Sequence, residues 1–296
     1  MMYGSASRKK PEFKRDALRR GLESGINFIH SCKEYDTWPV LADVLDQWPQ
    51  AGQLVHAIKM IFPEDEDQNK FDPQKFRHRV EDHMVALRTD RIDILQYQWR
   101  VAPGTALEPL ALFRSVVDEM VSTFQQLRDE GKAGYLMVFP SASCKMEVID
   151  SGHFSGVISV CNLARLDYGA LYTELAQRNM GLLGFSPLQG GMLTDRHAHY
   201  AADSGDRRSG DPFAKLYAKR QRIAEFFAEE IGPSMTSFAL RALLSTPVMG
   251  SLITGMSTAE QVDEIVAAVE GPALAPDVFE RAVALWQDEL AAIDQT

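Results

Sequence analysis

The feature that most constrains this chain is the alternation of short apolar runs with longer segments of helical periodicity. Strands that alternate with helices pair in parallel, because each helix returns the chain to the same end of the sheet. The pattern predicts an α/β fold with one parallel sheet. With no internal repeat and no linker, we expect a single domain over residues 1–296. The seven predicted strands are residues 25–29, 53–59, 91–99, 134–139, 157–161, 181–185 and 250–254.

Composition narrows the classes of protein to which this chain can belong. The net charge of −10 argues against a nucleic-acid surface, because phosphate binding needs clustered Lys and Arg. Three scattered cysteines do not make a disulfide framework, which indicates a reducing compartment. No apolar run approaches the roughly 20 residues that span a bilayer. We therefore expect a cytoplasmic protein with a small-molecule substrate and no membrane partner, while the oligomeric state stays open.

Polar side chains follow the apolar parts of the first three strands. The first runs from Gly25 into His30, Cys32 and Tyr35, and the second ends at Lys59. The third ends in residues 96–99, with Gln98 among them. Because the carboxyl ends of parallel strands meet at one edge of a sheet, these ends predict a polar site there.

A metal site is the less favoured interpretation of these groups. His30 and Cys32 share a face of their strand, and Cys161 ends another strand. Their spacing is unspecific, and no carboxylate cluster joins them. We expect a mildly polar interior without a metal.

Several segments together resemble the aldo/keto reductases, and they keep that family's order over nearly the whole chain. Members of that family are (β/α)8 TIM barrels that reduce carbonyls with a nicotinamide cofactor bound across the barrel mouth. The resemblance implies such a barrel here, with its first strand shortened to residues 1–5 or missing its N-terminal hairpin. It also implies NADP or NAD as the cofactor. The segments are residues 25–29, 87–96, 130–132, 185–188, 191–194, 239–244 and 254–261.

The family's proton relay consists of an Asp, a Tyr, a Lys and a His, and the resemblance places these on four positions of this chain. Tyr35 and Lys59 keep their residue types, whereas the Asp position holds His30 and the His position holds Gln98. A tyrosine donates its proton readily only if a nearby cation lowers its pKa from about 10. We expect Lys59 to do so, and we expect His30 to be neutral if it lies near Lys59. Gln98 can donate an amide N–H to a substrate oxygen but cannot titrate.

The resemblance also assigns cofactor positions. Phe185 corresponds to the aromatic residue that stacks on the nicotinamide, and residues 186–191 to a loop that meets the pyrophosphate through backbone N–H groups. The family's Ser-Asn pair for the carboxamide falls on Phe139 and Pro140, and its adenine-binding Asn on Ile265. No Lys or Arg lies in residues 254–264 to select a 2′-phosphate. The implied cofactor-binding residues are Phe185, Ser186, Pro187, Leu188, Gly191, Ser257, Thr258, Gln261 and Glu264.

Three functions stay open at this point. The first is an atypical nicotinamide-dependent reductase with Tyr35 as proton donor. The second is a lyase, isomerase or hydratase on the same fold, with acid/base work by Tyr35, Lys59 and His30. The third is a non-catalytic binding protein, for which loss of two relay residues is the expected outcome.

Overall fold

The computed structural model describes residues 11–33, 35, 37–62, 70–99, 108–140, 144–197 and 211–294. The chain divides into two compact units. The first comprises residues 1–158, 178–180 and 255–262, and the second comprises residues 159–177, 181–254 and 263–296. The prediction of a single domain stays a prediction.

Strands and helices alternate along the described chain, as the sequence pattern predicts. The seven strands follow one another in the sheet in chain order. They are β1 (Phe28–Ser31), β2 (Val55–Phe62), β3 (Ile92–Trp99), β4 (Ala133–Phe139), β5 (Gly156–Val160), β6 (Gly181–Phe185) and β7 (Met249–Ile253). The helices are α1 (Pro11–Glu23), α2 (Trp38–Asp46), α3 (Pro73–Leu87), α4 (Pro109–Asp129), α5 (Lys145–Asp150), α6 (Tyr172–Gln177), α7 (Asp211–Phe226), α8 (Ala228–Ile231), α9 (Met235–Leu244), α10 (Ala259–Val269), α11 (Val278–Leu285) and α12 (Ala291–Ile293).

In the first unit, β1 to β4 and the start of β5 pair in parallel. The register places His30 opposite Ala57, and Lys59 opposite Gln96. Side chains alternate between the two faces of a strand. His30, Lys59, Gln96 and Gln98 therefore lie on one face of the sheet.

In the second unit, β6 and β7 pair in parallel, and Cys161 N–H at the end of β5 donates to Phe185 O at 2.9 Å. The core of this unit is aromatic. The rings of Phe227 and Phe238 lie 4.9 Å apart, and those of Tyr172 and Phe279 lie 5.6 Å apart. The first contact packs the residue that joins α7 to α8 against α9, and the second packs α6 against α11.

The helix ends follow local sequence signals. Asp72 caps α3 by accepting N–H bonds from Gln74 and Lys75 at 2.9 and 3.1 Å, with Pro73 in the first turn. Gly25 follows α1 with φ of 83° and donates its N–H to Leu22 O. Since L-residues rarely adopt this left-handed conformation, glycine is favoured here. The glycine also explains why β1 begins at Phe28 rather than at residue 25.

The predicted strands are confirmed at all seven places, with shifts at their ends. Helix α5 was not predicted, because six residues are too short to show a helical period. The helical segment that begins with α11 contains a π-helical turn at Trp286–Leu290 and ends with α12. The predicted strand at residues 1–5 lies outside the described residues.

Candidate active site

A cluster of polar side chains lies in the first unit, where β1, β2 and β3 run towards their carboxyl ends. We call it the relay cluster and define it as His30, Cys32, Tyr35, Lys59 and Gln96. Three of these residues come from different strands, so the parallel register assembles them. Cys32 and Tyr35 follow β1 directly.

Tyr35 and Lys59, the two relay residues that keep the family's residue types, are in contact. The Lys59 Nζ atom lies 4.9 Å from the centroid of the Tyr35 ring. An ammonium over an aromatic ring at this distance is a favourable cation–π contact. The turn that holds the ring is fixed by backbone bonds, since Tyr35 N–H donates to Cys32 O at 3.0 Å and Trp38 N–H donates to Tyr35 O at 3.0 Å. The structure therefore brings this predicted pair together.

The pKa of Tyr35 moves in the direction opposite to our expectation. Burial raises the pKa of the Tyr35 phenol to about 12, and the charge of the Cys32 thiolate acts in the same direction. Loss of hydration disfavours the phenolate. The expected lowering by Lys59 is therefore corrected: the structure has an ammonium against the ring and a phenol that holds its proton.

His30 is neutral at pH 7, as expected. Its side chain is buried, and its Nε2–H donates to Gln96 Oε1 at 2.5 Å. Burial lowers the pKa of His30 to about 4, and the nearby positive charge of Lys59 acts in the same direction. The Gln96 oxygen can only accept a hydrogen bond, so the neutral ring carries its proton on Nε2.

Gln96 and Cys32 are members of the cluster to which the predicted relay assigns no role. The Cys32 thiol donates to Lys59 O at 3.7 Å, and burial raises its pKa. The alternation of Gln96 and Gln98 on an otherwise apolar strand was the available signal for Gln96. Gln98 is half-buried and lies on the same face, in register with Ile61 and Phe139. Its predicted role as donor to a substrate oxygen stays a prediction.

The segment after β6 in the second unit is the predicted pyrophosphate loop. We call residues 185–194 the β6 loop. It is a tight turn with positive φ at Ser186 (56°), Gln189 (46°), Gly190 (62°) and Gly191 (99°). Such conformations are accessible to glycine and costly for most other residues. The sequence similarity in this loop therefore corresponds to an unusual backbone path.

Most backbone N–H groups of the β6 loop have acceptors inside the protein. Ser186 N–H donates to Ile253 O at 3.1 Å, Gln189 N–H to Ser186 O at 3.0 Å, and Gly191 N–H to Leu188 O at 2.8 Å. Pro187 has no N–H. The expectation that Ser186 and Gly191 offer N–H groups to a pyrophosphate is therefore corrected for this conformation, because the turn itself uses them.

Two buried side chains hold the β6 loop in place. Asn162 is fully buried and donates through Nδ2 to Ser186 O and Gln189 Oε1, at 3.2 and 2.8 Å. Arg220 of α7 donates to Met192 O at 2.9 Å and to Thr194 O at 3.2 Å. Arg220 could not be identified from the sequence, because a helical pattern does not show which groups a long side chain reaches.

The start of α10 is a helix N-cap built by two of the predicted cofactor residues. Gln261 N–H donates to Thr258 Oγ1 at 3.3 Å, and Gln261 Oε1 accepts Ser257 N–H at 2.8 Å. This reciprocal arrangement is similar to a capping box, with Thr258 and Gln261 as the paired residues. In this conformation, Thr258 and Gln261 support the helix end rather than presenting these atoms to a ligand.

Glu264 forms an ion pair that the sequence did not reveal. The Arg196 guanidinium lies 3.1 Å from the Glu264 carboxylate, within the second unit. Arg196 follows the β6 loop, far along the chain from residues 254–264 where we sought a cation. The sequence offered one indication that Arg196 belongs to the site, which is its position two residues after the β6 loop.

The remaining predicted positions carry no polar side chain. Phe139, Pro140 and Ile265 cannot donate or accept a side-chain hydrogen bond. Among the described residues, no group of three His, Cys, Asp or Glu side chains is placed to hold a metal ion. Within the same residues, no helix is long and apolar enough to cross a membrane.

Comparison with known proteins places this geometry in a family. A sequence model of the aldo/keto reductase family matches residues 1–287. L-galactose dehydrogenase of Arabidopsis thaliana is 23% identical over 270 residues, which are 85% of this chain and 76% of the relative. The uncharacterized oxidoreductase YqkF of Bacillus subtilis is 23% identical over 263 residues, 85% of this chain and 80% of the relative.

Solved structures support the same fold. The holo form of aldo-keto reductase AKR11C1 from Bacillus halodurans superposes with a TM-score of 0.73 at 17% identity, over 96% of this chain and 90% of that one. Glycerol dehydrogenase AKR11B4 from Gluconobacter oxydans superposes with a TM-score of 0.71 at 22% identity, over 97% of this chain and 89% of that one. The predicted (β/α)8 fold class is thus confirmed. The seven strands, the family match over almost the whole length and these neighbours agree, and the chain belongs to the aldo/keto reductase family of oxidoreductases.

Proposed function

We propose that this protein is an atypical reductase that reduces a carbonyl group with a nicotinamide cofactor, with Tyr35 as the proton donor. The observation that supports this most is the contact of the Lys59 ammonium with the Tyr35 ring at 4.9 Å. It keeps an acid and a cation together although the other two relay positions have changed. Members of the family use NAD(P)H, which supports the cofactor class.

The raised pKa of Tyr35 is compatible with proton donation. When bound, a dihydronicotinamide would supply the hydride for the carbonyl carbon, and the carbonyl oxygen would then need a proton. A phenol with a pKa of about 12 keeps its proton throughout the physiological pH range. An alkoxide is more basic still, as the pKa of water, about 15.7, illustrates. The proton therefore passes downhill from Tyr35 to the substrate oxygen.

The raised pKa of Tyr35 also separates the pH ranges in which reduction and oxidation proceed. In the reverse direction Tyr35 would have to accept the proton of an alcohol as a phenolate. Burial makes that phenolate scarce at neutral pH, because it raises the pKa of the phenol. We therefore expect the alcohol-oxidising reaction to need a more alkaline solution than the carbonyl-reducing one.

For the cofactor, the residues present fit at several points and not at the carboxamide. The Phe185 side chain at the end of β6 provides an aromatic surface for stacking. The first turn of α10 at Ser257 and Thr258 provides a helix N-terminus, where anions are stabilised. Glu264 and Arg196 provide polar groups for the adenosine end, and Leu188 and Gly191 shape the β6 loop. Phe139 and Pro140 offer the carboxamide no side-chain hydrogen bond.

A titration with NADPH and NADH tests the proposal. We expect binding in the micromolar range with quenching of the cofactor's fluorescence, weakened by Phe185→Leu and unchanged by Phe226→Leu on α7. A panel of aldehydes and ketones then tests turnover. Absence of cofactor binding by calorimetry would contradict the proposal. Substrate turnover without cofactor oxidation would favour a lyase, isomerase or hydratase instead.

A further inference from the structure

The relay cluster has an unusual charge. Three side chains act on or contact Lys59, namely His30, Cys32 and Tyr35. All three are neutral at pH 7, because burial lowers the pKa of His30 to about 4, raises that of Tyr35 to about 12, and raises that of Cys32. The half-buried Lys59 is therefore a cation among neutral neighbours.

The position where the family carries a carboxylate is firmly occupied by a neutral group. His30 is 1% exposed and is held by its bond to Gln96 at 2.5 Å. The imidazole is neutral and buried, so it does not compensate the ammonium.

The charged side chains described on α3 are not placed to neutralise the positive charge of Lys59. Arg79 adds a second cation whose charge acts on Cys32. The carboxylate of Asp82 is engaged elsewhere, at 3.5 Å from Lys33 Nζ and 3.6 Å from His78 Nε2. Among the described residues, the charges that act on Cys32 are therefore the positive charges of Lys59 and Arg79.

A positive, partly desolvated site is stabilised by a ligand of opposite charge. We propose that this site takes substrates that carry a carboxylate beside the carbonyl group, and that the carboxylate pairs with Lys59. Tyr35 and Lys59 touch, so the two ligand groups that they meet must be close together, as they are in a 2-oxo acid. The carbonyl part of this inference rests on the proposed function, whereas the anion-binding part does not.

Binding of malonate and of malonamide to the full chain without cofactor tests the anion-binding part. These probes have the same carbon skeleton and differ in charge. We expect malonate to bind at least about 10-fold more tightly than malonamide, as an ion pair at an effective dielectric constant of about 20 predicts. Equal binding of the two would overturn the proposal.

The matched variants are His30→Asp and His30→Asn. Both remove the imidazole and its bond to Gln96, but only His30→Asp places a negative charge beside Lys59. We expect His30→Asp and Lys59→Met to lose the preference for malonate, and His30→Asn and the surface variant Lys215→Met to keep it within about 3-fold. Equal affinities in His30→Asp and His30→Asn would overturn the proposal, because charge would then not be the cause.

Two acidic residues near Tyr35 in sequence, Glu34 and Asp36, lie outside the described residues and need their own control. If one of them neutralised Lys59, the double variant Glu34→Gln with Asp36→Asn would strengthen malonate binding by about 10-fold or more. We expect a change below about 3-fold, and the larger gain would overturn the proposal.

The outcomes separate this inference from the proposed function. If cofactor binds and neutral carbonyls are reduced without any preference for carboxylates, the inference fails and the reductase stands. If malonate binds as described and neither NADPH nor NADH binds, the reductase fails and the anion site stands.

Discussion

The relay cluster and the β6 loop differ in a way that their sequences do not suggest. The resemblance predicts that the loop keeps the family's sequence and that two of the four relay positions in the cluster have changed. In the structure, the cluster still holds an ammonium against a phenol. The loop uses the N–H groups of Ser186 and Gly191 for its own turn. The sequence of the loop is therefore suited to a backbone with positive φ. The chemistry of the cluster depends instead on contacts between side chains.

The loop side of this comparison depends most on Arg220. Its two hydrogen bonds to Met192 O and Thr194 O are charge-assisted and mostly buried. We expect Arg220→Met to lower the free energy of unfolding by about 4 kcal/mol, because two carbonyls lose a charged donor. Urea denaturation measures this change.

The matched control is Arg222→Met on the same helix, which removes a more exposed ion pair with Glu289 at 2.6 Å. Exposed pairs of this kind contribute little to the free energy of unfolding, so we expect a much smaller loss than for Arg220→Met. Equal losses in the two variants would show that Arg220 does not anchor the loop.

The cluster side is sensitive to acid through His30. In the unfolded chain the pKa of a histidine is 6.5, and burial lowers it to about 4 in the folded protein. Between these values the unfolded state binds a proton that the folded state does not. His30 therefore contributes about 3 kcal/mol of stability that is present above pH 6.5 and is lost as the pH falls through about 4. The buried His83, whose pKa burial also lowers to about 4, adds a loss of the same sign.

Denaturation between pH 7 and pH 4 measures this loss. We expect a shallower dependence for His30→Asn and an unchanged one for His153→Asn, which alters an exposed residue. A His30→Asn variant with the slope of the native protein would show that the buried imidazole is not the acid-sensitive group.

Lys59 tests whether the retained pair of the cluster matters for turnover. A desolvated cation–π contact contributes about 2 kcal/mol, and we expect Lys59→Met to lower kcat/KM for a neutral aldehyde about 30-fold. Lys59→Arg keeps the positive charge and should recover part of that loss. Steady-state kinetics measure the effect, and a Lys59→Met variant as active as the native protein contradicts it.

The sequence predicted which strand ends form the site better than it predicted the pKa values and side-chain contacts within the site. Strand ends and parallel pairing were enough to bring Tyr35 to Lys59, and the neutral state of His30 followed from its place beside a cation. The raised pKa of Tyr35 was not predictable, because it depends on how much protein covers the ring. Sequence spacing also could not show that Gln261 closes a capping box, that Arg196 reaches Glu264, or that Gln96 fixes His30. These contacts join residues through side-chain directions that only the folded chain defines.

Whether Tyr35 donates the proton is tested by single-turnover oxidation of NADPH with a carbonyl substrate. The rates of the native protein and of Tyr35→Phe are compared. The phenylalanine keeps a ring for Lys59 and removes only the proton donor. We expect the native protein to oxidise the cofactor. We expect the rate for Tyr35→Phe to be lower by about 100-fold or more, since a general acid usually contributes at least that factor. The dissociation constant for NADPH should be unchanged. Equal rates in the two proteins, or no oxidation by the native protein at saturating cofactor, would contradict the account.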